Sequence, residues 1–147
     1  MNLSASFTLE GLCFSSTALR LGLDNTPNAG EINNLHRLCD DLLEPAQTIL
    51  GVPFSINSGY RSPALNQAVG GATASAHMDG RAADFTASKM DLQGVFNTLR
   101  KSVLPYDQII FECHAWIHLA IAREGEKPRR QALMASGGPG HWSYVRV

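Results

Sequence analysis

Residues 75–84 read Ser75-Ala76-His77-Met78-Asp79-Gly80-Arg81-Ala82-Ala83-Asp84, and a later run reads Trp116-Ile117-His118. Small and polar residues over 72–81 predict a loop, and Ala82 to Thr86 predicts a short strand. His77 in the loop and Asp84 in the strand are seven residues apart, and Gly80 between them lets the chain turn so that they converge. His118 belongs to a strand-like run and can reach the same point from across a sheet. Imidazole nitrogen and carboxylate oxygen are both good zinc donors, and three protein ligands with an open fourth position describe a catalytic site. By spacing alone, the same residues also fit an ordinary solvated or structural His–Asp pair.

Working outward, helices come early and strands are interspersed without regular β-α-β alternation. That pattern predicts an α+β fold in which a small antiparallel sheet packs with helices. Residues 6–21 predict a short helix and turn. Thr26-Pro27 resembles an N-cap followed by proline in the first turn. Ile32, Leu35, Leu38, Leu42, Leu43, Ala46, Ile49 and Leu50 then fall on one helical face, with a kink expected at Pro45. Phe54 to Ser58 alternates as a strand, and Ser62-Pro63 caps a short helix through Val69. Ser88 with Asp91 suggests a capping box for a second amphipathic helix carrying Leu92, Val95, Phe96, Leu99 and Val103. Asp107–Glu112 and Trp116–Ile121 are strand-like runs separated only by Cys113-His114-Ala115, a length that permits a hairpin. From Arg123 the chain is charged and then Gly-rich, so residues 123–147 are expected to form a poorly packed tail on a single domain spanning 1–147.

The bulk composition narrows the function classes. A 147-residue chain suits one domain and can bury a core without a disulfide framework. Net charge is −1, so no basic field exists for a nucleic-acid backbone. Three cysteines, Cys13, Cys39 and Cys113, are far apart and include no CxxC pair. They are expected as reduced thiols rather than zinc ligands. No run approaches the ~20 apolar residues of a membrane span. The N-terminus has no basic region followed by an apolar stretch, so no signal peptide is expected.

Several motifs together carry a family resemblance. Ser75-x-His77-x-x-Gly80-x-Ala82-x-Asp84 with the later Trp-x-His resembles the M15 zinc peptidases. That group includes D-alanyl-D-alanine carboxypeptidases and dipeptidases and phage L-alanyl-D-glutamate endolysins, and its metal core is shared with the hedgehog fold. Ser58-Gly-Tyr-Arg61-Ser62-Pro63-x-Leu65-Asn66, and Phe7-Thr8-Leu9-Glu10 with Asp24-Asn-Thr-Pro27, also resemble segments preceding the first ligand in that family. The likeness runs from about residue 6 to 121. It implies a hedgehog/DD-peptidase-like single domain with one Zn2+ held by His77, Asp84 and His118. It further implies that Arg61 points into the site, to stabilise an oxyanion or clamp a substrate carboxylate. Ser75 would support the His77 loop or bind substrate, with Tyr60 and Trp116 as substrate-facing wall. The implied substrate is the peptide part of bacterial peptidoglycan, cut by a phage-type endolysin or a carboxypeptidase. A monomer made in the cytoplasm, acting in the periplasm or cell wall after release, suits that reading.

One departure matters. Many members carry a carboxylate three residues before the last ligand, where this chain has Ala115. In one continuous strand Glu112 would lie roughly 20 Å from His118, too far to act with it. A turn at 113–115 instead folds Glu112 back opposite Trp116, as a diagonal neighbour of His118 at roughly 7–8 Å. Glu112 is therefore preferred as general base, and His114 at the turn is second choice, as proton donor or transition-state stabiliser. The missing carboxylate also keeps open a catalytically weak, zinc-containing wall-binding or virion module, and more remotely a hedgehog-like adhesion module. Asp79 and Arg81 are expected to face solvent, Asp107 and Gln108 to end a connection, and His36 to be an ordinary helical histidine. His141 is assigned no role.

Overall fold

A β-hairpin organises the molecule. In the computed structural model, which describes residues 1–147, β3 (Tyr106–Glu112) and β4 (Trp116–Ile121) pair antiparallel with Glu112 opposite Trp116. The turn closes through Ala115 N–H donating to the Glu112 carbonyl at 2.8 Å. Its two central residues, Cys113 and His114, have φ of +52° and +55°. Positive φ at both positions matches the right-handed twist of the flanking strands, which is why so short a link works here. Neither residue is glycine, so the turn holds backbone strain beside the site.

Strand β2 (Ala82–Ala87) pairs antiparallel with β4 on its other edge, placing Asp84 opposite His118. β1 (Phe54–Ser58) flanks β2. On the other side, β5 (Gln131–Ser136) runs parallel to β3, and β6 (Ser143–Arg146) pairs antiparallel with β5. The six-stranded order is β1-β2-β4-β3-β5-β6. The α+β class with a mainly antiparallel sheet is as the sequence suggests. Residues 131–136 and 143–146 nevertheless contradict the expected loose tail, because they complete the sheet and bury Ala132 and Ala135. β5 pairs with β3, more than twenty residues earlier, which local composition does not reveal, and β6 then folds back onto β5.

Strand alternation sorts the sheet into two faces. Phe85, Ile109, Phe111, Ile117 and Leu119 point one way and are buried. They pack beneath α3 (Ala29–Leu38), the π-helical turn Cys39–Leu43, α4 (Glu44–Leu50) and α6 (Leu92–Arg100), with α1 (Leu9–Cys13) and α2 (Ser16–Leu21) completing the N-terminal region. The other face carries Asp84, Gln108, Ile110, Glu112, Trp116 and His118 and lines a cleft. No helix of the chain is long and apolar enough to cross a membrane.

Local details differ from expectation for physical reasons. The N-cap of α3 is Asn28, in a reciprocal capping box with Glu31, rather than Thr26. Pro45 cannot donate to the carbonyl four residues back. Where the sequence predicts a kink, the chain widens into the π turn just before Pro45, with Glu44 N–H donating to the Cys39 carbonyl. Asp91, not Ser88, caps α6, accepting from Gln93 and Gly94. α6 ends at Arg100, leaving Val103 95 % exposed instead of on the apolar face. Asp107 and Gln108 lie within β3, and Asp107 is buried against Arg129. No cysteine pair is bridged.

Candidate metal centre

His77 stands on a 3₁₀ turn, Ala76–Asp79, between α5 (Pro63–Ala68) and β2. Ser75 caps the turn, its hydroxyl accepting from the His77 N–H at 3.2 Å. Gly80 ends it at φ +74°. A Cβ there would lie 2.5 Å from the Glu31 carbonyl, so glycine is needed for both conformation and space. Arg81 is buried, not solvent-facing. It donates to the Ile121 carbonyl at 3.0 Å and through Nε and Nη2 to Asp79, tying the ligand loop to the end of β4.

The turn brings His77 to Asp84 and His118. His77 Nε2 lies 3.1 Å from Asp84 Oδ1, His118 Nδ1 lies 2.9 Å from the same oxygen, and the two ring nitrogens are 3.2 Å apart. All three residues are buried. His77 Nδ1 is 2.7 Å from the Gly59 carbonyl, which can only accept, so that nitrogen carries the proton. With Nδ1 so engaged, Nε2 is the nitrogen whose lone pair a neutral His77 offers to a metal, and it is turned toward Asp84 Oδ1. Ligands about 2.0–2.1 Å from a tetrahedral zinc stand about 3.3 Å from one another, close to the spacings seen. The donor set thus fits a metal ion.

The titration behaviour points the same way. Burial alone would raise the Asp84 carboxyl, but His77 and His118 outweigh it by charge and hydrogen bonds and hold it well below the usual carboxylate range. Burial pushes the His77 imidazole down, against the pull of Asp84. Ionised aspartate and neutral histidine are the forms that bind metal.

Arg61 is drawn into the centre. Its Nη2 meets Asp84 Oδ2 at 3.2 Å, Nε meets Ser58 at 3.0 Å, and Nη1 meets Asn66 Oδ1 at 3.1 Å. Asn66, to which the sequence assigned no role, is buried and anchored to the Ala72 carbonyl. Asn25 similarly ties the Tyr60 carbonyl and the Ser62 N–H together. Both asparagines lie inside the segments that carried the resemblance; the partners of Asn66 are near in sequence, whereas Asn25 reaches across to Tyr60 and Ser62, which spacing does not show.

Glu112 Oε1 lies 3.9 Å from His118 Nδ1, on the cleft face. Burial, then the charge of Asp84, pushes its carboxyl above the usual range, against His118 and Arg61. His114 is not brought to the site. Its ring packs edge-on against Phe111 at 4.9 Å, on the helix-covered face of the sheet. Trp116 lines the cleft opposite Glu112, and its indole N–H is buried without an acceptor in hydrogen-bond geometry. Tyr60 is almost wholly buried and belongs to the core cluster, so it backs the wall instead of standing free on it. Ser75 holds the His77 loop and also borders the cleft. Trp142 and Tyr144, in the segment expected to be loose, line the cleft of about 1080 Å³ as well.

A family model described as Peptidase M15 matches residues 5–120. No curated protein matches the chain. The matched span runs from α1 into β4 and holds all three candidate metal donors, Arg61 and Glu112. On that match, extending over most of the chain, the protein belongs to the peptidase M15 family.

Proposed function

We propose that the protein is a zinc peptidase that hydrolyses a peptide bond in bacterial peptidoglycan stem peptides, as an endolysin or a carboxypeptidase. The observation that carries this reading is the convergence of His77 Nε2, Asp84 Oδ1 and His118 Nδ1 on a cleft floor, with the Glu112 carboxylate beside them. When bound there, zinc polarises a scissile carbonyl and makes an attacking water more acidic. Glu112 accepts the proton of that water and returns it to the leaving amine. Its partial burial keeps the proton affinity high enough for both transfers. Arg61 spends three of its five N–H groups on Ser58, Asn66 and Asp84. The remaining two are available to a developing oxyanion or a substrate carboxylate. The Gly59 carbonyl fixes the His77 ring, and Asn66 fixes the guanidinium.

Incubating purified protein with muropeptides, with and without chelator, tests the reading. New amino termini by mass spectrometry, abolished by chelator and restored by zinc, are expected. Intact muropeptides in the presence of zinc would overturn it in favour of a wall-binding module.

A further inference from the structure

The C-terminal segment lies beyond the family-matched span, yet it reaches back over the cleft. It leaves β5 beside the hairpin turn, where Cys113 Sγ donates to the Gly137 carbonyl at 3.4 Å and Cys113 N–H to Ala135 at 2.9 Å. It then lands on the opposite wall. Trp142 Nε1 donates to the Gly70 carbonyl at 3.4 Å, and Pro139 sits so close that a Cβ on Gly70 would lie 2.6 Å from its Cβ. That wall is the one holding Arg61, since a Cβ on the adjacent Gly71 would come 2.9 Å from Arg61 Nη1. Residues 137–142 therefore span from the Glu112 side of the metal centre to the Arg61 side. Tyr144 follows on β6, in the cross-sheet row shared by Ala135 and Glu112.

The two ends of the cleft differ. The far end is lined by Gln108, Arg123 and Arg129, and both arginine side chains are about 60 % exposed, at 61 % and 59 %. The near end is bordered by the hairpin turn and the crossing segment. His118 is two residues from Trp116, where the turn begins, which is roughly 6.6 Å of strand. That length holds one or two residues of an extended peptide.

We infer that residues 137–144 form a strap that limits the substrate to one or two residues beyond the scissile bond on the Glu112 side, while the arginine-lined end admits the longer part. The inference rests on the peptidase reading and narrows it: the enzyme trims a mono- or dipeptide from a chain end, rather than cutting in the middle of a long peptide. Pro139 and Trp142 are the specificity-determining residues, because they make the contact with Gly70.

The test uses the full chain loaded with zinc and stem peptides lengthened one residue at a time at either terminus, with products sized by mass spectrometry. Expected are released fragments of one or two residues, and at least about a tenfold loss of rate when a third residue is added on the strap side. Pro139→Gly with Trp142→Ala should bring that ratio near unity with zinc content kept, the ratio within each protein being the readout whatever the absolute rate on the short peptide. A Glu112→Gln form titrated calorimetrically with the same peptides should show the same preference in binding. Equal wild-type rates on short and extended peptides would overturn the inference, as would an unchanged ratio in the double variant. Absence of cleavage of any peptide would overturn the peptidase reading itself, and this inference with it.

Discussion

Asp84 and His118 face each other directly across β2 and β4, with Asp84 Oδ1 2.9 Å from His118 Nδ1. A cross-strand pair is among the more rigid ways to hold two ligands, since ladder hydrogen bonds fix the backbone on both sides. Only His77 comes from a loop, and that loop is locked by Ser75, Gly80 and the buried Arg81.

The first prediction concerns metal. One zinc per chain is expected, and His118→Ala or Asp84→Asn should lose it. Affinity should fall in acid, because the imidazoles must be neutral and the carboxylate ionised to bind. Metal analysis after dialysis at several pH values checks this. Retention of a full equivalent by His118→Ala would remove that residue from the ligand set.

Glu112 and His114 are separated by their faces of the sheet. Glu112→Gln should keep fold and zinc while losing about 10²–10⁴-fold in rate, the usual worth of a general base. His114→Ala, whose ring touches Phe111 rather than the cleft, should stay close to wild type in rate. The reverse ranking in steady-state kinetics at saturating zinc would transfer the role to His114.

Arg61→Lys retains a charge but not the planar fork that meets Ser58, Asn66 and Asp84 together. Zinc affinity should fall about 10–100-fold, as for partners that orient a metal ligand. At saturating zinc the rate should still fall by about 10²-fold if the free N–H groups serve the oxyanion. Full activity once zinc is saturating would confine Arg61 to positioning Asp84.

The pair Asp107–Arg129 predicts an acid limb of stability. Burial would raise the Asp107 carboxyl, but hydrogen bonds from the Arg129 side chain and backbone hold it below its ordinary value. A depressed folded-state value stabilises the protein above the unfolded value near ~3.9, and that stability is lost as pH falls through the folded one. Arg129 is largely exposed, so Asp107→Asn should cost only about 1 kcal/mol at pH 7. The variant should also lose less stability than wild type between pH 4 and about pH 2. Parallel acid-limb slopes in denaturant titrations would remove the pair from the account.

Sequence alone determined what depends on near neighbours in the chain. The hairpin was legible because two apolar runs flank three residues, and the α3 and α6 faces because their apolar spacing is helical. His77, Asp84 and His118 could be singled out because a glycine-bearing turn and strand patterning let them converge, and because the resemblance picked that set over an ordinary His–Asp pair. Tertiary structure alone decided what depends on distant partners. Glu112 and His114 are two residues apart and equally polar, and only the turn geometry sends one to the cleft and the other to Phe111. Arg81 is buried because the Ile121 carbonyl waits for it across the fold. Residues 131–136 form a strand because β3 offers an open parallel edge, and charged and glycine-rich flanks hide that pairing from any local pattern.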